Sequence, residues 1–262
     1  MKIGLVLSGG GARGISHLGV VKALAERGIT PHIISGTSSG AVFGALLAYG
    51  YSPDEILDIV TNKVSIVRQL RPAIGSGGLL RINRLEDTIR TYIPEDSFES
   101  LKIPLVVNAT DVCAGELVYY REGELIRPVL ASCCLPGLFA PYEYQGRQLV
   151  DGGVLNNLPV EVIEEEADYI IGVHCNPFPV KETVCSTREV LFRSLLLAVH
   201  NRNKERFTRC HLLIEPPRLC DYQVFDMGKA RAMFDLGYDY THQFLEESPM
   251  LALNHASSDT SK

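Results

Sequence analysis

Ile3-Gly4-Leu5-Val6-Leu7-Ser8-Gly9-Gly10-Gly11-Ala12-Arg13-Gly14 is a short apolar run that breaks into glycine, and His32-Ile33-Ile34-Ser35-Gly36-Thr37-Ser38-Ser39-Gly40 repeats the pattern. Helical periodicity follows each of them. Leu18, Val21, Leu24 and Ala25 recur at helical spacing up to Gly28, and the small and apolar run Ala41–Ala48 leads to Gly50. Two strand–glycine turn–helix units in succession predict a parallel sheet with helices on its faces. Glycine turns that follow neighbouring parallel strands open on the same edge of such a sheet, so these two are expected to share one crevice.

Working outward, Ser52-Pro53-Asp54-Glu55 has the residues of a helix start with a capping box. The stretch Thr61–Gly78 is irregular, either a loop over a site or a surface connection. A helix is expected near Arg84–Tyr92 and a strand over Pro104–Ala109. Glu122-Gly123 and Gln145-Gly146 read as the turns of two hairpins, the second joining Tyr142–Tyr144 to Arg147–Val150. Tyr169–Val173 and His211–Ile214 read as further core strands, with a helix around Val190–His200 between them and a last helix over Lys229–Phe244. With no repeat, low-complexity tract or linker, the expectation is one domain over residues 1–256 and a disordered polar tail over 257–262. The apolar run after Lys2 is too short for a signal peptide, and no segment has the length of a membrane-spanning helix. These features predict a cytoplasmic chain whose membrane contact, if it has one, is peripheral.

A net charge of −6 and a pI near 5.7 argue against a nucleic-acid partner, which needs a basic face. The seven cysteines form neither a CxxC pair nor a zinc pattern. They read as reduced thiols acting as small buried hydrophobes, with no metal and no cofactor implied.

Gly36-Thr37-Ser38-Ser39-Gly40 fits G-x-S-x-G, the sharp strand-to-helix turn that exposes a serine nucleophile. There Ser38 would meet the unpaired amides and the positive dipole end of the following helix, both of which favour a developing alkoxide. A serine in that position also reads as a plain helix cap.

Gly9-Gly10-Gly11-Ala12-Arg13-Gly14 matches the dinucleotide pattern G-x-G-x-x-G, but the acid that would hold a ribose at the end of the second strand is missing. The same glycines suit an oxyanion hole, whose donors are each worth about 3–4 kcal/mol of barrier, with Arg13 anchoring the loop to backbone carbonyls. None of the seven histidines sits in a glycine-rich turn; His17 reads as a helix-face residue and His174 as the reserve for a third triad member. Asp151-Gly152-Gly153 ends the strand Arg147–Val150 and, taken alone, reads as a simple turn.

Taken in order, the glycine loop, the serine turn and Asp151-Gly152-Gly153 resemble the motifs of bacterial patatin-like phospholipases. The resemblance extends through Ala131-Ser132-Cys133-Cys134-Leu135-Pro136-Gly137-Leu138-Phe139-Ala140-Pro141 and Asn157-Leu158-Pro159, and covers most of the first 175 residues. It implies a three-layer α/β/α patatin-like fold with a mainly parallel central sheet, and hydrolysis of lipid acyl esters (phospholipid or lysophospholipid) by a Ser–Asp dyad without histidine. Carried over by position, it makes Ser38 the nucleophile, Asp151 the base, and Gly9, Gly10 and Gly11 the oxyanion hole. Arg13, Gly14, Gly36, Gly40, Gly152 and Gly153 are the supporting motif residues.

An acyl pocket near Leu135, Leu138 and Phe139 competes with simple core packing, which is preferred. Leu191, Leu195 and Val199 are likewise expected to pack on the sheet, with Arg188 and Arg193 elsewhere on that helix. Two other readings stand beside the dyad: a Ser–Asp–His hydrolase, and a non-catalytic lipid- or protein-binding module.

Overall fold

In the computed structural model, residues 1–63, 71–73, 75, 77–178, 183 and 186–247 are described. The 257–262 tail, His255, Cys185 and much of the stretch between Lys63 and Gly78 lie outside them. Strands β1 (Ile3–Leu7), β2 (Ile33–Gly36), β5 (Leu105–Asp111), β9 (Tyr169–Val173) and β10 (Leu212–Ile214) pair in parallel in the order β10-β9-β1-β2-β5. β6 (Glu116–Tyr120), β7 (Tyr142–Tyr144) and β8 (Arg147–Asp151) extend this sheet in antiparallel fashion. β3 (Arg71–Pro72) and β4 (Leu80–Arg81) form a separate short pair.

Apolar residues on both sides of the strands build the three layers. Leu5, Leu7, Ile34, Leu105, Val107, Ile171 and Val173 join the larger core, while Val6, Ile33, Val106 and Ile170 point to the other face. Over the first face lie α1 (Ser16–Glu26), α2 (Ser39–Tyr49), α3 (Pro53–Asp58), α4 (Leu85–Tyr92), α5 (Ile126–Ser132) and α7 (Ala230–Glu247). The second face is covered by the turns from Leu158 to Ile163 and by Phe207 at the end of α6 (Thr187–Phe207). This is the expected three-layer architecture with a mainly parallel sheet.

Local signals carry through where they are purely local. The Ser52 capping box forms with both of its hydrogen bonds. At the β7–β8 hairpin, Gln145 and Gly146 both take positive φ (51° and 74°), the tight turn that suits strand twist.

Two expectations about elements are corrected. Glu122-Gly123 does not turn a hairpin: β6 pairs back on β5, and Ile126 opens α5, leaving one bridge between Ser97 and Glu124. Nor does the first half of α6 pack on the sheet, since Val190, Leu191, Leu196 and Leu197 are exposed. The side chains of Arg188 and Leu195 lie outside the description.

β2 pairs β5 only as far as Gly36 opposite Val107, and β5 continues to Asp111. On the same edge β8 takes over, running the other way, with Asp151 opposite Ala109. The end of β2 and the end of β8 therefore meet head-on against one strand.

Candidate active site

Ser38 lies in the gap between those two strand ends. After Gly36 the chain leaves β5, Thr37 donates its hydroxyl to Asn108 Oδ1 at 2.8 Å, and α2 begins at Ser39. Between them Ser38 is held at φ 52°, ψ −122°, a strained conformation for a residue with a side chain. The flanking glycines permit this turn by close packing: a Cβ at Gly40 would run into the Leu7 carbonyl, and one at Gly36 into Gly40 itself. Ser38 makes no side-chain cap bond to α2, so helix capping does not account for a serine there.

Asp151 is buried, with its Oδ1 accepting the Gly153 amide at 2.8 Å and its carboxylate within side-chain hydrogen-bonding reach of Ser38. Burial raises its pKa to about 6, opposed by the hydrogen bonds from Ser38 and Gly153. No cation or histidine contributes to that shift. Gly152 is pressed against Asn108, which ties this turn to the strand beneath Thr37.

A segment absent from the local motifs joins the two. At the end of α5, Ser132 Oγ accepts the Ser38 amide at 2.8 Å, and two residues on the Cys134 carbonyl accepts the Asp151 amide at 2.9 Å. Between them, the Cys133 thiol is within hydrogen-bonding reach of the Ser38 side chain, and burial beside Asp151 raises its pKa well above the usual thiol range.

The glycine loop abuts the serine, for a Cβ on Gly9 would come 3.0 Å from Ser38 Cβ. The Gly9 amide donates to the Asn157 carbonyl at 3.3 Å, so Gly9 is not a free oxyanion donor as the motif suggested. Its carbonyl instead accepts from Asn157 Nδ2 at 3.3 Å, from Asn176 Nδ2, and from Cys175 Sγ at 3.4 Å. Because the peptide is planar and trans, this turns the Gly10 amide to the opposite side. Neither Gly10 nor Gly11 is among the backbone donors that find a carbonyl elsewhere in the described residues. Arg13 anchors the loop as expected, with Nε and Nη2 on the Tyr222 carbonyl at 2.8 and 2.6 Å. Gly14 lies flush against Ser39, and Gly153 against Asn157.

The described histidines are all engaged elsewhere. His17 is buried on the Ser8 carbonyl at 2.8 Å and burial lowers its pKa to about 4, so it stays neutral. His174, the reserve third member, pairs with Glu215 at 2.7 Å. His32 and His211 accept backbone amides, His200 packs on Phe178, and His242 meets Glu26.

The cysteines are corrected in part. Cys134 and Cys175 are buried, but Cys113 is exposed and Cys133, Cys210 and Cys220 are half-buried. Leu135 is also exposed, against its expected place in the core. Among the described residues no group of three His, Cys, Asp or Glu could hold a metal. A surface depression of about 470 Å³ lies between Leu155 and the C-terminal half of α6, and neither Ser38 nor Asp151 lines it.

Residues 5–163 match the family model described as patatin-like phospholipase, a span that contains both Ser38 and Asp151. The chain belongs to this family. Its relatives include an uncharacterised NTE family protein of Mycobacterium tuberculosis, 39% identical over 178 residues, which cover 67% of this chain and 49% of that protein. Lysophospholipase NTE1 of Kluyveromyces lactis is 28% identical over 286 residues, covering 93% of this chain and 19% of its own length. This chain therefore spans about half the length of the first and a fifth of the second. Among solved structures, VipD from Legionella pneumophila shares the fold, with a TM-score of 0.53 at 19% identity over 94% of this chain and 67% of that one.

Ser132, Asn157 and Asn176 are the site residues that motif reading gave no role. Ser132 and Asn157 fall in segments that carry the family resemblance, whereas nothing around Asn176 in the sequence signals its contact with Gly9.

Proposed function

We propose that this chain is a serine acyl hydrolase of lipid-type carboxylic esters, with a phospholipid or lysophospholipid acyl group as its substrate. The observation that carries this reading is a strained serine at the end of β2 within reach of a buried aspartate whose pKa is raised to about 6. An unperturbed carboxylate is a poor base for a hydroxyl near neutral pH, and the raised pKa narrows that mismatch.

Asp151 accepts the Ser38 proton as Oγ attacks the ester carbonyl carbon, and the amides of Gly10 and Gly11 take up the charge on the tetrahedral oxyanion. Collapse breaks the carbon–oxygen bond to the alcohol, which leaves with the proton held by Asp151. Water, deprotonated by Asp151, then attacks the acyl carbon of acyl-Ser38, the bond to Oγ breaks, Asp151 returns the proton to Ser38 and the fatty acid leaves. The relative named as a lysophospholipase supports the substrate class. A non-catalytic module on the same fold would leave the strain at Ser38 without purpose.

Ester turnover by the wild type, Ser38→Ala and Asp151→Asn tests the mechanism. Ser38→Ala should be inactive, and Asp151→Asn should lose about 10²–10⁴-fold in kcat. Near-normal hydrolysis by folded Asp151→Asn would sink the assigned base.

A further inference from the structure

Gly9, Gly10 and Gly11 have no side chains with which to hold their own shape. A glycine segment rotates a peptide with little steric resistance. A rotated Gly9–Gly10 peptide would offer a carbonyl where the proposed chemistry needs an N–H. The orientation of that peptide has to be fixed from outside the loop.

The end of β9 does this. Val173 sits opposite Leu7, so the residues after Val173 leave the sheet beside Ser8, Gly9 and Gly10. The main-chain ladder continues for one bond, from the Ser8 amide to the Val173 carbonyl at 3.1 Å, and side chains then replace it. The Cys175 amide donates to Ser8 Oγ at 3.1 Å. The Gly9 carbonyl is caught by Cys175 Sγ at 3.4 Å and by Asn176 Nδ2. Burial pushes the Cys175 thiol up to about 12, so it keeps its proton. Gly10 rests on the same two residues: a Cβ there would collide with Cys175 Sγ and come 3.1 Å from both polar atoms of the Asn176 amide.

Asn176 is itself oriented. Its Oδ1 accepts Arg13 Nη1 at 3.5 Å, and Arg13 is fixed on the Tyr222 carbonyl through Nε and Nη2. An amide whose oxygen faces a guanidinium turns its NH2 the other way, here onto the Gly9 carbonyl. Asn157 donates to that carbonyl too, but it also abuts Gly153 in the turn of Asp151. Among the described residues, the side-chain hydrogen bonds of Asn176 go only to Gly9 and Arg13.

We infer that Asn176 is a positioning residue of the glycine loop, holding the Gly9–Gly10 peptide so that the Gly10 amide is left for the oxyanion. The inference rests on the proposed acyl chemistry, in which that amide is a donor. Asn176 acts through the peptide in two ways. It fixes the orientation, and its hydrogen bond to the carbonyl polarises the peptide and strengthens the N–H on the far side.

Asn176→Ala and Asn176→Asp test this role. The first removes the donor. The second keeps the size but turns the donor into an acceptor, which repels the Gly9 carbonyl and takes the Gly10 amide for itself once the peptide rotates. With a soluble short-chain ester, kcat should fall about tenfold in Asn176→Ala, the effect of one hydrogen bond. It should fall about a hundredfold in Asn176→Asp, the effect of losing an oxyanion donor. KM should stay within about twofold of the wild type in both. A trifluoromethyl ketone, to which Ser38 adds to leave a negative oxygen, should lose affinity by the same factor as kcat/KM. The ether analogue of the ester forms no oxyanion and should bind all three proteins alike. Asn176→Ala adds no charge and carries the test should Asn176→Asp fold poorly. Unchanged kcat, an effect confined to KM, Asn176→Asp no worse than Asn176→Ala, or ether binding that weakens with the ketone would overturn the inference. A wild type that turns over no ester would remove the proposed chemistry and this role with it, whereas an active wild type beside unchanged variants would remove this role alone.

Discussion

Ser38 and Asp151 stand at opposite ends of one balance between stability and chemistry. Burying Asp151 raises its pKa from 3.8 to about 6, so its charged form is less comfortable in the folded chain than in the unfolded one. The stability this group contributes is fully present below pH 3.8 and is lost as pH rises through about 6. Asp151→Asn removes that loss while keeping an oxygen for the Gly153 amide. The variant should gain stability over the wild type between pH 4 and pH 6, reaching about 2–3 kcal/mol at pH 8 by denaturant titration. The proposed catalysis has the opposite sign, because Asp151 would act as a base only when deprotonated. The kcat/KM of the wild type should fall as pH drops through about 6, with one ionisation on that limb. A limb flat from pH 7 to pH 5 would contradict the assignment of Asp151.

The candidate site depends on where elements end. α5 ends so that Ser132 holds the Ser38 amide while Cys134, two residues on, holds that of Asp151. This makes the end of α5 a clip that fixes the spacing of the pair. Ser132→Ala should cost about 1–2 kcal/mol in thermal unfolding and about tenfold in kcat with KM little changed, while Ser132→Thr should restore both. A Ser132→Ala protein with unchanged kcat would remove the clip from the account. The elements themselves were legible where short-range physics decides them. The glycine turns after β1 and β2, the Ser52 capping box and the Gln145-Gly146 turn each depend on a few adjacent residues. Glu122-Gly123 misled because its second flank was divided, Glu124 bridging Ser97 and Ile126 opening α5, tertiary preferences that no turn dipeptide encodes. The apolar stripe of α6 misled for the converse reason: helical spacing gives a face, and only tertiary packing decides whether anything covers it, which leaves Val190, Leu191 and Leu197 exposed.

At the scale of the whole molecule, the pairing of β5 brings Ser38 and Asp151 together. β2 stops at Gly36, β8 arrives antiparallel at Asp151, and Ser38 and Asp151 meet across more than a hundred residues of chain. Two glycine turns in sequence made one shared crevice legible early, and the family resemblance pointed to Asp151. The meeting of β2 and β8 on one edge was not legible, because strand register is settled by long-range pairing. For the same reason Asn157 and Asn176, which set the Gly9 carbonyl from distant loops, had no signal of their own.

The most direct measurement of the central claim is reaction of the wild type with a fluorophosphonate, followed by mass spectrometry of its peptides. A phosphonyl adduct is expected on Ser38, absent in Ser38→Ala and formed more slowly in Asp151→Asn. An adduct on another serine, or an unreactive folded protein, would contradict it.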